Sequence, residues 1–198
     1  MLKLHLGSGP QILPGWVNVD NLPYPGVDRV LDVTKGLPFK NVDYVFAEHF
    51  IEHIPYPAAI ELLRECRRVL LDQGILRLST PSLDWVWKTH YDLGLSEPDQ
   101  LKACFEINRA FRGWGHQFLY NELTLRATLQ DAGFATVVRV EYGQSSHEAL
   151  RGLERHEKSA DWGMLSSILI VEASGRGGRP PEDLGAPRAE YLRDIVVK

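Results

Sequence analysis

Apolar and polar residues change rhythm several times along this chain, and each change marks an element. Leu2, Leu4 and Leu6 alternate with Lys3 and His5 as a short strand. The stretches "WVNV" (16–19), "RVLDV" (29–33), "VDYVFA" (42–47) and "ILRLS" (75–79) are also short. They are rich in β-branched or aromatic residues and bounded by Gly, Pro, Asn or Asp, so they read as four more strands. Between the fourth and fifth the period lengthens. Ala59, Leu62, Leu63, Cys66, Val69 and Leu70 form one helical stripe, Glu61, Arg64, Arg67 and Arg68 take the other face, Pro57 opens the helix and Gly74 closes it.

Further on, Pro98 starts a helix over about 97–111 with Leu101, Cys104, Phe105 and Phe111 roughly on one side. Asn121 caps "ELTLRATLQDA" and Gly133 ends it. Strands are expected at 136–142 and 166–173, and the capping-box pattern Ser145-x-x-Glu148 marks a polar helix over about 147–157. The pattern predicts an α/β fold, Rossmann-like and doubly wound: a mostly parallel, seven-stranded sheet with an antiparallel last strand. Such a sheet binds ligands at the carboxyl ends of its first strands.

The 198 residues suffice for one sizeable core, so residues 1–173 are expected to form one domain, with 82–120 as an insertion covering a substrate. From Ser174 the composition shifts to "SGRGGRPPEDLGAP", a linker, followed by a tail that docks as a helix on this subunit or links it to a second copy. The net charge of −4 and the lack of a Lys/Arg cluster argue against nucleic acid as partner. No apolar run reaches membrane-spanning or signal-peptide length, so a soluble cytoplasmic protein is expected. Cys66 and Cys104 stand alone and read as small buried hydrophobes.

The chemistry begins at "LHLGSGPQILPGWVNVD". A strand running into Gly7-Ser8-Gly9 starts like a dinucleotide fingerprint, but Ile12 replaces its third glycine, and two prolines separate the loop from the next strand. At most one helical turn fits. A ligand that needs a helix dipole for two phosphates is therefore disfavoured, and with it a nicotinamide oxidoreductase. A ligand with an amino acid group and a nucleoside needs only the close backbone approach that Gly7 and Gly9 permit. S-adenosylmethionine meets that description. Asp20, at the end of the second strand, is placed to accept from the ribose hydroxyls, and Asp32 from the adenine amino group.

These pieces, with "LDVTKGLPF", "VDYVFAEHFIEHI", "ECRRVLLDQGILRLSTP" and "GHQFLYNELTLRATLQDAGF", resemble in order and spacing a class I S-adenosylmethionine-dependent methyltransferase. The likeness is to a small branch that lacks a full first helix, and it covers roughly residues 2–142. The resemblance implies that Gly7, Ser8 and Gly9 line the methionine part of the cofactor, Asp20 the ribose, and Asp32 with Val33 the adenine. It also implies that Glu48 and His49 face the cofactor or the substrate.

In "EHFIEHI" a helical turn would pair His49 with His53 and Glu48 with Glu52. H-x-x-x-H without a known third ligand does not make a metal motif, so no metal is expected. His116, in "WGHQFLY", reads either as a structural histidine bonded to backbone or, with His49, as a base for the transfer. The expected activity is methyl transfer to an oxygen or nitrogen of a small molecule. The alternative is a non-catalytic methyltransferase-like module that acts through its tail.

Overall fold

The computed structural model describes residues 1–91, 96–156, 159, 161, 163–177 and 184–195. Seven strands form one sheet: β1 (Lys3–Leu6), β2 (Val17–Asp20), β3 (Arg29–Val30), β4 (Val42–Glu48), β5 (Leu70–Pro81), β6 (Thr136–Arg139) and β7 (Ile168–Ser174). Their order is β3-β2-β1-β4-β5-β7-β6. The first five are parallel, and β7 runs antiparallel between β5 and β6. The connection reverses direction beside β1, between β2 and β4. Ligands enter sheets of this kind at that crevice.

Alternation along β4 and β5 assigns the two faces. Val45 and Ala47 of β4, with Leu76 and Leu78 of β5, point into the larger core beneath α1 (Tyr56–Val69), joined there by Leu125 and Leu129 of α4 (Glu122–Asp131). Phe46 and Ile75 point the other way. There they meet Leu13 and Trp16 of the first crossover and Leu150 and Leu153 of a distant segment, each worth about 1.5–3 kcal/mol when buried. Over 147–156, the described part of the expected polar helix 147–157, there is only a single 3-10 turn, Glu148–Leu150, and residue 157 lies outside the described residues. Ser145 spends its hydroxyl on the His147 N–H, closing a turn instead of starting a helix.

That segment covers the sheet face left bare by the short first crossover. Arg77, fully buried on β5, fastens it: its Nε donates to Glu154 Oε1 at 2.7 Å and its Nη1 to Glu172 Oε1 at 2.6 Å. The crossover has its own fastener in buried Asn18. Its Oδ1 accepts from the Leu13 N–H at 2.9 Å, and its Nδ2 reaches the Leu13 and Trp16 carbonyls, supplying bonds that a helix would have made internally.

Four expectations need correction. Gly74 lies within β5 rather than at a helix end, because the helix stops at Leu70 in extended backbone. A Cβ on Gly74 would sit 2.9 Å from the Val42 carbonyl, so the glycine is required by strand contact. Arg67 is buried rather than solvated, donating to the carbonyls of Leu70 and Leu71. The apolar side of α3 (Glu97–Arg112) faces outward, with Phe105 76% exposed, while small Ala103 and Ala110 make the buried contact. Cys104 shares that exposed side, whereas Cys66 is buried and its thiol is pushed up to about 12 by desolvation.

A helix that the sequence left unassigned, α2 (Leu83–His90), is capped by Ser82 and packs on α3. The tail helix α5 (Gly185–Asp194) docks on its own chain. Tyr191 packs edge-on to Phe118 with centroids 5.3 Å apart, and Arg188 pairs with Asp131 at 2.7 Å. Among the described residues, no helix is long and apolar enough to cross a membrane.

Candidate functional site

Gly7 and Gly9 both adopt left-handed backbone, with φ of +63° and +51°. A Cβ on Gly7 would lie 2.3 Å from the Phe50 ring, so only glycine fits this close approach. Ser8 between them is buried and donates its N–H to the Val19 carbonyl, which ties the loop to β2. Gly9 in turn donates its N–H to Asp20 Oδ2 at 2.8 Å, and Leu22 donates to Asp20 Oδ1 at 2.9 Å. Each carboxylate oxygen is thus fixed by one backbone donor and keeps acceptor capacity for another.

Asp32 is not in a strand. Residues 29–33 yield only a two-residue strand, because the Asp32 side chain caps a 3-10 turn, Val33–Lys35. Its Oδ1 accepts from the Thr34 hydroxyl at 2.6 Å and the Thr34 N–H at 3.1 Å, while Oδ2 pairs with Lys35 at 3.0 Å. The Thr34 hydroxyl, then Lys35, hold this carboxyl below the usual aspartate range. Oδ2 alone retains clear room for a further donor.

Gly7, Gly9, Asp20, Asp32 and Val33 line one cavity of about 490 Å³, closed on its far side by Phe50, His53 and Ile54. Ser8, expected beside the two glycines, is not among the residues that line it. Glu48 does not reach it. At the end of β4 its Oε1 turns toward the distant loop and accepts the N–H groups of Arg155 and His156 at 2.7 and 3.0 Å.

The chain then turns sharply at His49, whose φ of +46° is unusual for a residue with a side chain, and forms a 3-10 turn, Ile51–His53. This geometry replaces the helical pairing expected for "EHFIEHI". Glu52 is swept inward to 0% exposure. Its Oε2 accepts from the Thr80 hydroxyl at 3.0 Å, and its backbone carbonyl accepts from Gln117 and Phe118. Its Oε1 lies 3.2 Å from His49 Nδ1 and 3.9 Å from His53 Nε2.

His49 and His53 open onto a second cavity, of about 560 Å³. His90, His116 and His156 also line it, so five of the chain's seven histidines gather there. His156 stacks on His49 with ring centroids 4.2 Å apart, held in place by the Glu48 contacts to its backbone. Burial holds His90 below the usual histidine range. His116 lies 2.7 Å through Nδ1 from the Ala110 carbonyl, which can only accept, so Nδ1 carries the proton and Nε2 is left with a lone pair. The insertion expected to cover a substrate supplies Trp85, Val86, Arg109 and Trp114 to this wall.

Both histidines singled out in the sequence therefore meet in one cavity, and the glycine-loop residues meet in its neighbour. Segment 49–53 forms the partition, with Phe50 on one side, His49 on the other and His53 on both. Sequence reasoning did not find Asn18, Arg77 or His156, and it left Glu52 undecided. Only the repeated Glu-His pair carried a signal.

Comparison with known proteins agrees with this architecture. Residues 15–78 match the sequence model of a family described as a methyltransferase domain. The pyocyanin biosynthetic protein PhzM superposes with a TM-score of 0.54 at 14% identity, over 88% of this chain and 50% of its own. The chain carries a Rossmann-like methyltransferase fold. A possible exported protein from Bordetella parapertussis (TM-score 0.53, 14% identity, 89% of this chain and 62% of that one) is similar in the same way. So is DhpI, solved as a complex with SAH (TM-score 0.51, 12% identity, 90% and 76%). The methyltransferase-fold chain thus spans less than two thirds of the length of PhzM and of the Bordetella protein. No curated protein matches its sequence.

Proposed function

We propose that the protein is an S-adenosylmethionine-dependent methyltransferase that binds its cofactor over the glycine loop and a small-molecule acceptor in the histidine cavity. The observation that carries this reading is the placement of Gly7, Gly9, Asp20, Asp32 and Val33 around one cavity that shares a wall with a second. The methionine part lies against the two glycines, the ribose hydroxyls donate to Asp20, and the adenine sits by Asp32 and Val33. Glu48 takes no part in cofactor contact and instead holds the loop bearing His156.

In the transfer, a lone pair on the acceptor's oxygen or nitrogen attacks the methyl carbon. The carbon–sulfur bond breaks and its electrons return to sulfur, leaving a neutral thioether. The sulfonium is already activated, so the chain's task is alignment and exclusion of water, worth effective molarities of about 10⁵–10⁸ M for well-oriented partners. The acceptor's proton leaves as the new bond forms, and a histidine lining this cavity, His49 or His116, takes it as the base. The net charge of −4 favours a small metabolite over nucleic acid as acceptor.

Thermal melting with S-adenosylhomocysteine tests the reading. At about 100 times its dissociation constant the ligand adds about 2.7 kcal/mol, a rise of several degrees. Asp20→Ala is expected to weaken binding by about 10- to 100-fold, the worth of charge-assisted hydrogen bonds. No shift in the unsubstituted protein would remove the cofactor, and unchanged affinity in the variant would remove Asp20 from its site.

A further inference from the structure

The spacing of "EHFIEHI" offers no third metal ligand, but the fold brings one from 63 residues away. Glu52, His53 and His116 each present a donor atom, and these atoms lie within 4.8 Å of one another. Other groups have already set these donors for coordination. The Ala110 carbonyl fixes the His116 tautomer, so that Nε2 is the unprotonated nitrogen. The Thr80 hydroxyl takes Glu52 Oε2 and leaves Oε1 free. Partners of this kind orient and tune the ligands of metal sites.

A second observation points to a missing cation. Glu52 is fully buried, yet among the described residues its Oε1 has no hydrogen-bond partner, and neither has the buried Nε2 of His49. A buried polar atom left unpaired costs about 1–3 kcal/mol, and more if charged. His49 Nδ1 and His53 Nε2, at 3.2 and 3.9 Å, stand around that oxygen without satisfying it. A cation between the carboxylate and the imidazoles would supply what this oxygen lacks.

We infer that Glu52, His53 and His116 form a binding site for a divalent first-row transition cation at the floor of the histidine cavity, with His49 adjoining it. Two imidazoles and one carboxylate suit Zn²⁺, Co²⁺ or Mn²⁺ better than Mg²⁺, which prefers all-oxygen shells. The donors, within 4.8 Å of one another, must draw closer to share one ion, whose bonds of about 2.0–2.2 Å hold two ligands no more than about 4.4 Å apart. Both histidines line the cavity, so the open coordination positions face whatever occupies it. The cation therefore selects an acceptor that binds through oxygen and holds that oxygen beside the partition; with His116 Nε2 given to the cation, the role of base falls to His49. The site itself rests on its donors; its use on an acceptor rests on the methyltransferase reading above.

The test uses the untagged full chain, dialysed against a chelator and titrated with Co²⁺ followed by its visible absorption. One equivalent per chain is expected, displaced by Zn²⁺. His116→Ala and His53→Asn should each weaken Co²⁺ binding at least about tenfold, while the melting shift given by S-adenosylhomocysteine persists in His116→Ala and shows that this variant is folded. Absence of saturable binding, or equal affinity in the double variant, would overturn the site. Co²⁺ binding that depends on these histidines supports the site even if S-adenosylhomocysteine does not bind, in which case only the methyltransferase reading falls.

Discussion

The cavity over the glycine loop is walled by residues between positions 7 and 55, whereas the histidine cavity gathers side chains from five stretches between 49 and 168. The first is shaped by backbone: two left-handed glycines, a carboxylate fixed by two N–H groups, and a capped 3-10 turn. The second is shaped by imidazoles whose positions depend on long-range contacts, such as Glu48 holding the backbone at His156 and Glu52 holding the backbone at Gln117. A local site tolerates change elsewhere. A site assembled from distant segments fails when any of its fasteners is cut.

That contrast can be broken from either side. The largest effect is expected at Glu154, the partner of fully buried Arg77. Glu154→Ala leaves part of a buried charge uncompensated and should cost about 3–5 kcal/mol. Near its lower melting temperature, but still folded, the variant should lose acceptor affinity through His156 and keep S-adenosylhomocysteine affinity. Calorimetric titration of each ligand separates the two, and equal losses would mean that the cavities are not independent. Next is Gly7→Ala, which forces a Cβ into left-handed backbone and against Phe50. It should cost about 2–3 kcal/mol in urea unfolding and reduce cofactor affinity first. Cofactor affinity within twofold of the unsubstituted protein would show that the loop does not touch the ligand.

The smallest effect concerns the contact of α1 with the chain just after the Val33–Lys35 turn. Glu65 on α1 accepts from Arg68 and from the Leu37 N–H just beyond the Val33–Lys35 turn, and these hold its carboxyl down to about 2. A depressed carboxylate stabilises the fold above its unfolded value, and that contribution is lost as pH falls from about 4.5 through about 2. The expected difference is about 1 kcal/mol after solvent screening. Unfolding curves across that pH range should be flatter for Glu65→Gln than for the unsubstituted protein.

The same contrast explains what was legible in the sequence. Strand alternation, the Ala59–Val69 stripe and the Asn121 cap are local patterns, and they appear in the fold with shifts of a few residues. The glycine loop was readable because all its parts fall within one short stretch of chain. Where local rules failed, tertiary contact overrode them. Phe105 and Leu101 look like a core stripe, but α3 buries its alanines instead. "EHFIEHI" reads as helical, but positive φ at His49 turns Glu52 inward. The third member of its cluster, His116, becomes a neighbour only when the Glu52 carbonyl takes the Gln117 and Phe118 N–H groups. No spacing along the chain carries that information.

The most direct measurement is a crystal structure of the full chain grown with S-adenosylhomocysteine. Density for the ligand is expected over Gly7 and Gly9, with the ribose hydroxyls on Asp20, the adenine by Asp32 and Val33, and the sulfur toward the partition at Phe50 and His53. A nucleoside seated among the histidines, or a glycine-loop cavity that stays empty at saturating ligand, would contradict the assignment of the two cavities.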